Sequence, residues 1–183
     1  MFQLSRRYYP IAVIFILLLG LPGCLLVRTS EHIITLNADG SGEGIIHLVD
    51  IRSDAHSDSL VRRDFDDLMT AYGAPHVAEF EQYGRKISAR QLRVRGDTLM
   101  AEVTYLFRSP AAIEGLRVAK NEMSLIFGPD REVVRTNGKV HRTEDQGTSV
   151  TWDRDAKRLV YEVREKQLPP STSLAFLYQK YGR

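Results

Sequence analysis

Three groups of residues in this 183-residue chain have the types and spacing to do chemistry. Asn37-Ala38-Asp39-Gly40-Ser41-Gly42-Glu43 opens like a calcium loop, with oxygen donors at alternate positions and glycine sixth, as a hard cation in a tight turn requires. The twelfth position, which should supply a bidentate carboxylate, is Leu48. The flanks alternate as strands do, so the expectation is a hairpin turn. His32 and His47 come opposite each other if that hairpin turns symmetrically about Asp39-Gly40. A zinc site needs three or four ligands, and no metal is assigned to this pair. His56, His76 and His141 sit near expected turns and read as surface.

The third group is basic. Arg6 and Arg7 account for the early charge, which leaves 23 bases against 23 acids from residue 24 onward, 17 of the bases being Arg. A neutral domain has no net electrostatic footprint for a phosphate backbone, which excludes a nucleic-acid partner. Arg binds planar anions in a fixed fork where Lys cannot. Arg85, Arg90, Arg93 and Arg95, with Lys86, concentrate in one strand region and are the candidate anion contacts, for lipid headgroups or an acidic partner. The opposing reading is a solvated sheet face. No G-x-S-x-G, G-x-x-x-x-G-K-[ST] or H-E-x-x-H is present. Asp66-Asp67 and Glu79/Glu81 lie in polar stretches where solvation is the default. The chain is read as a non-enzyme, with no catalytic residue and no cofactor assigned.

The elements that must position these residues follow from periodicity. Composition is globular, 43% hydrophobic and 26% charged. Glu31–Leu36 and Glu43–Ile51 form the first hairpin. Val61, Phe65, Leu68, Met69 and Tyr72 make one face of a helix over about 58–72, capped by Ser57 or Asp58 and ended by Gly73. With Gly96-Asp97 as a two-residue turn, Val94 faces Leu99, Leu92 faces Ala101, Arg90 faces Val103 and Ser88 faces Tyr105, so Arg95-Gly96-Asp97 is a turn and not a recognition tripeptide. Ser109-Pro110 opens a short helix, and Glu122–Phe127 is a strand. Asn137-Gly138 is a type I′ signal joining Glu132–Thr136 to Lys139–Arg142. A last hairpin sets Val150 and Trp152 against Leu159, Tyr161 and Val163. After Pro169-Pro170, Ser171 or Ser173 caps a C-terminal helix. The fold class is therefore α+β: an antiparallel sheet built from hairpins, with one main helix and the C-terminal helix packed on it.

The first twenty-four residues are different. Arg6 and Arg7 precede an uncharged run from Tyr8 to Val27, densest from Ile11 to Leu21, which reads as the charged and apolar regions of an export signal. A membrane anchor is the alternative, since the run just reaches the ~20 residues a spanning helix needs. Pro22 and Gly23 break helix where a span should continue. Cys24 is the single cysteine and has no intrachain partner.

Leu21-Pro22-Gly23-Cys24 resembles the lipobox of bacterial lipoproteins. The resemblance implies that signal peptidase II cuts between Gly23 and Cys24, and that Cys24 carries diacylglycerol and an acylated amine. No Asp follows the cysteine, so in a Gram-negative cell the resemblance implies the outer membrane. Ser5-Arg6-Arg7 also echoes a twin-arginine signal, beside the general export route. From Cys24 to about residue 70, the order of lipobox cysteine, strand, Asp39-Gly40-Ser41-Gly42 turn, strand and polar helix resembles LppM-like lipoproteins. These have a β-rich domain on a lipid anchor, with envelope lipid handling proposed for them. The organisation read is a signal peptide over 1–23, a lipidated tether over 24–30 and one domain over 31–183. The function read is a bilayer-anchored binding or assembly domain with an envelope protein partner. The alternatives are a carrier of a lipid or other apolar ligand, lined by Phe65, Met69, Tyr105, Phe127 and Trp152, and a hydrolase.

Overall fold

The computed structural model describes residues 25–143 and 147–182. The elements in order are β1 (Leu25–Leu36), β2 (Gly42–Ser53), α1 (Asp58–Gly73), α2 (Ala78–Glu81), β3 (Arg85–Arg95) and β4 (Thr98–Phe107). After a 3-10 turn at Pro110–Ala112 come β5 (Arg117–Val118), β6 (Glu122–Phe127), β7 (Arg131–Thr136), β8 (Lys139–Thr143), β9 (Gly147–Asp153), β10 (Arg158–Glu165), β11 (Thr172–Ser173) and α3 (Ala175–Tyr181). Every strand pairing is antiparallel, as the α+β reading requires. The strands form two sheets. Sheet A runs β3-β4-β2-β1-β10-β7, with β11 beside the end of β2; sheet B runs β5-β6-β9-β8.

One face of sheet A carries both core clusters. Leu99, Tyr105 and Phe107 alternate along β4 and so share a face. Tyr105 and Phe107 pack with Met123, Leu125, Phe127, Val150 and Trp152 of sheet B, while Leu99 packs with Val61, Phe65 and Leu68 of α1 and Leu174 beside α3. Sheet B thus covers one end of that face and the two helices cover the other. Gly42 and Gly44 of β2 stand directly across from Phe107 and Tyr105, and a Cβ at either would meet those rings. The aromatic rings close the space the glycines leave.

The β3–β4 hairpin has the register read from the sequence from Arg95 to Arg90. A bulge between Ile87 and Ala89 then sets Ile87, and not Ser88, opposite Tyr105. Ser109 accepts a bond from the Ala111 amide with Pro110 following, as expected of that short helix. The C-terminal helix is N-capped at Leu174, with Ser173 accepting from the Ala175 amide.

Four expectations are corrected. First, the loop between β1 and β2 is five residues, centred on Asp39, so the register slips by one: His47 faces Glu31, and His32 faces Ile46. A one-residue slip exchanges the faces, which puts the two imidazoles on opposite sides of the sheet. Second, Asn137-Gly138 is not a hairpin turn. β7 pairs with β10 in sheet A and β8 with β9 in sheet B, so the dipeptide is the crossover between sheets. The Asn137 amide Oδ1 accepts from the Trp152 indole (2.8 Å) and the Val160 amide (2.8 Å), and its Nδ2 donates to the Arg158 carbonyl (2.8 Å). Gly138 is needed there because a Cβ would strike Val150 and Trp152. Third, β9 and β10 do not pair; Trp152 and Tyr161 meet across the core, ring centroids 6.2 Å apart, and not side by side in one sheet. Fourth, residues 25–30 are not a tether. They are strand residues of β1, paired to β2, and Leu25 is 1% exposed because it completes the core under α1.

Candidate functional site

The register slip assembles the most organised polar feature of the surface. Direct cross-strand partners run from Gln91 on β3 through Glu102 on β4, His47 on β2, Glu31 on β1 and Glu162 on β10 to Arg135 on β7. Six strands contribute one residue each to a single row. His47 Nε2 lies 3.2 Å from Glu102 and its Nδ1 lies 2.9 Å from Glu31. Arg135 pairs with Glu31 and, at 3.5 Å, with Glu162. Cross-strand partners share a face, and this face is the one opposite the core.

Apolar rows flank the charged one. Ile45 pairs with Ile33 and Thr104, and Ile33 with Val160; on the other side Val49 pairs with Met100. Ile33, Ile45, Val49 and Met100 are half-buried by one another and belong to neither core cluster. Leu106, farther along the same face, is 46% exposed. The outer face of sheet A is therefore a broad strand surface with an ordered charged centre and apolar margins. Such a surface can bind a protein face by pairing its polar row and covering its apolar rows.

The four candidate arginines do not converge. Arg85 is buried, with its guanidinium 4.5 Å from the Phe80 ring centre and 5.0 Å from that of Tyr83. Arg90 donates to the carbonyls of Ala71 (2.7 Å), Tyr72 (3.0 Å) and Ala74 (2.6 Å), closing the C-terminal end of α1. Only Arg93 and Arg95 are exposed. Gly23 and Cys24, the cleavage and lipidation positions, lie outside the described residues.

The interior holds a second polar group. His32 stacks on Tyr161 at 4.6 Å and 10° between planes. Burial, helped by the positive charge of Arg85 and Arg131, lowers the His32 pKa to about 3, so the ring is neutral at ordinary pH. Burial raises the phenols of Tyr105 and Tyr161 and the carboxyl of Glu114. Each shift runs towards the uncharged form, as burial away from water dictates. Ser53 donates to the buried Asp64 at 2.5 Å, tying β2 to α1.

The Asn37–Gly42 turn is closed by its own bonds. Asp39 accepts from the Ser41 amide (3.0 Å) and hydroxyl (2.7 Å), which lowers its pKa. Among the described residues no cluster of three His, Cys, Asp or Glu side chains could hold a metal ion. His56, His76 and His141 are exposed. Of the supposed ligand lining, Phe65 packs under α1 while Tyr105, Phe127 and Trp152 pack between the sheets. The cavity between helix and sheet, bordered by Leu68, Tyr72, Phe80 and Val103, is about 80 Å³, against the ~300 Å³ at which ligand pockets begin. Among the described residues no helix is long and apolar enough to cross a membrane. Comparison with protein-family models, curated proteins and solved structures finds no match for this chain.

Proposed function

We propose that the chain is a membrane-anchored envelope lipoprotein whose domain binds a protein partner through the outer face of sheet A. The anchor is Cys24, acylated after cleavage behind Gly23, in keeping with the lipobox resemblance; in a Gram-negative cell the site is the outer membrane. The observation that carries the binding role is the six-strand row from Gln91 to Arg135, already paired and already flanked by apolar rows. Preformed polar contacts, the Arg135 ion pairs among them, lower the ordering cost of association, and the half-buried margins supply area to cover. The role is binding or assembly and not catalysis.

The test is site-specific photocrosslinking in living cells. A photoreactive residue replaces Ile45 or Met100 on the outer face, or Val140 on β8 of sheet B as comparison. The proposal expects one defined protein adduct from both outer-face positions and none from Val140. Equal labelling from all three, or none from the outer face, refutes it. Cys24→Ser is expected to release the domain from the membrane fraction.

A further inference from the structure

We infer that the end of the domain carrying α3 lies against an anionic bilayer, with Phe176 at the membrane–water boundary. This rests on the membrane-anchored reading above, and it assigns a surface that the anchor alone does not specify.

The distance from the anchor is short. Consecutive Cα atoms are ~3.8 Å apart, and Leu25, one residue after Cys24, is already buried against Leu174 and Ala175. An anchor at Cys24, or in the apolar run before it, therefore has no free chain with which to hold the domain off the lipid. Leu25 pairs with Ser53, and Ser53 pairs with Thr172. At ~4.8 Å per strand, β11 stands about 10 Å from Leu25, and α3 follows it at once.

The outward side of α3 has the chemistry of a membrane boundary. Leu174, Ala175 and Tyr178 face the core, while Phe176 is 66% exposed, the highest value among the exposed large hydrophobic residues. Lys180, one turn on, places its ammonium 5.9 Å from the Phe176 ring centre and 5.0 Å from that of Tyr181. Aromatic rings flanked by bases settle at the headgroup level, the ring among acyl carbons and the base on phosphate. Two bonds fix α3 to the β3–β4 turn: Gln179 donates to the Gly96 carbonyl (3.2 Å) and Ser173 to that of Asp97 (2.7 Å). The last residues of β3 before that turn include Arg93 and Arg95, which are exposed on the outer face of the sheet at this same end and make no ion pair among the described residues. Two of the four arginines singled out in the sequence thus stand at the end where the anchor emerges.

The experiment uses the full chain purified with its anchor and reconstituted into vesicles of phosphatidylcholine and phosphatidylglycerol with brominated acyl chains. Phe176→Trp and Val134→Trp are compared, with Trp152 as the common background. The inference expects Phe176→Trp to shift to the blue and to lose about half of its added emission, as a ring at the interface does, while Val134→Trp is unaffected. Co-flotation with the vesicles reports anchoring separately. A protein that floats while its Phe176→Trp emission is unquenched overturns this inference and leaves the anchored reading standing. A protein that does not float overturns both.

Discussion

Whether β1 begins at Leu25 or the chain is a loose tether up to Ser30 is decided by Leu25→Ala. In the structure Leu25 is 1% exposed and packs with Ile51, Phe65 and Leu174, each at 1% or less. Truncation removes three methylene equivalents at ~0.8 kcal/mol each and leaves a cavity that the rigid strand and helix close only in part. Together these cost about 3 kcal/mol, near the low end of buried Leu→Ala changes because the site is at the domain's edge. For a domain of this size that corresponds to a fall of roughly 6–12 °C in Tm. Urea unfolding of the detergent-solubilised chain, followed by emission of the buried Trp152, measures it. Leu106→Ala, on the exposed face, is the comparison and is expected within about 0.5 kcal/mol of the parent. A Leu25→Ala loss as small as that of Leu106→Ala would show that residues 25–30 do not hold the core, and the membrane-proximal geometry built on them would fall.

The remaining expectations concern the interior. His32 stays neutral when folded, with a pKa of about 3, but titrates near 6.5 when unfolded, so the unfolded state binds the extra proton. The contribution of His32 is therefore flat above pH 6.5 and takes away about 1 kcal/mol of stability per unit as pH drops towards 3; His32→Phe, which keeps the stack on Tyr161, should reduce the slope by that amount in urea titrations at pH 7 and pH 5. A variant as pH-sensitive as the parent would exclude His32 as the source. Asn137→Ala should cost about 2–3 kcal/mol in chemical denaturation, because it strands the Trp152 and Val160 donors. A residue in an exposed hairpin turn would cost about 0.5 kcal/mol, so a small effect would contradict the two-sheet crossover. Arg90→Ala should cost about 2 kcal/mol and speed amide exchange in the last turn of α1, and Arg90→Lys should recover little, since an ammonium lacks the fork that spans three carbonyls. Unchanged exchange there would remove Arg90 from the role of cap.

Local signals carried much of the fold. The α1 stripe and the Ser109 cap depend on residues a few positions apart, and both are present. The β3–β4 register followed from a two-residue turn whose geometry admits one pairing. The β1–β2 register did not, because a longer loop can close on either an odd or an even count, and one residue decides which imidazole is buried. Alternation in Val150/Trp152 and Leu159/Tyr161/Val163 correctly marks side chains that face a core. It carries no label for the sheet they come from, and inward strands on opposite sheets look like a hairpin. The charged row was hidden for the same reason. Glu31, His47, Glu102, Glu162 and Arg135 belong to five strands, and only long-range pairing makes them neighbours. The short α2, which buries Phe80, has too few residues to show a period.

The placement of β1 between β2 and β10 has a consequence for how the molecule is made. β2 is the next element in the chain, but β10 is near its end; the Arg135–Glu31 pair already spans 104 positions and the Arg52–Ser171 bond 119. A chain delivered from its N-terminus can close the β1–β2 and β3–β4 hairpins early through local turns and then pair β4 with β2. Until Arg158–Glu165 arrives, the far edge of β1 offers an unpaired row of amides and carbonyls to any other strand. Contacts this distant close slowly, so the interval is long on the scale of hairpin formation. The C-terminal third thus acts as a seal on the first strand, and a chain cut short before β10 would be a template for aggregation and a natural substrate for chaperones and proteases.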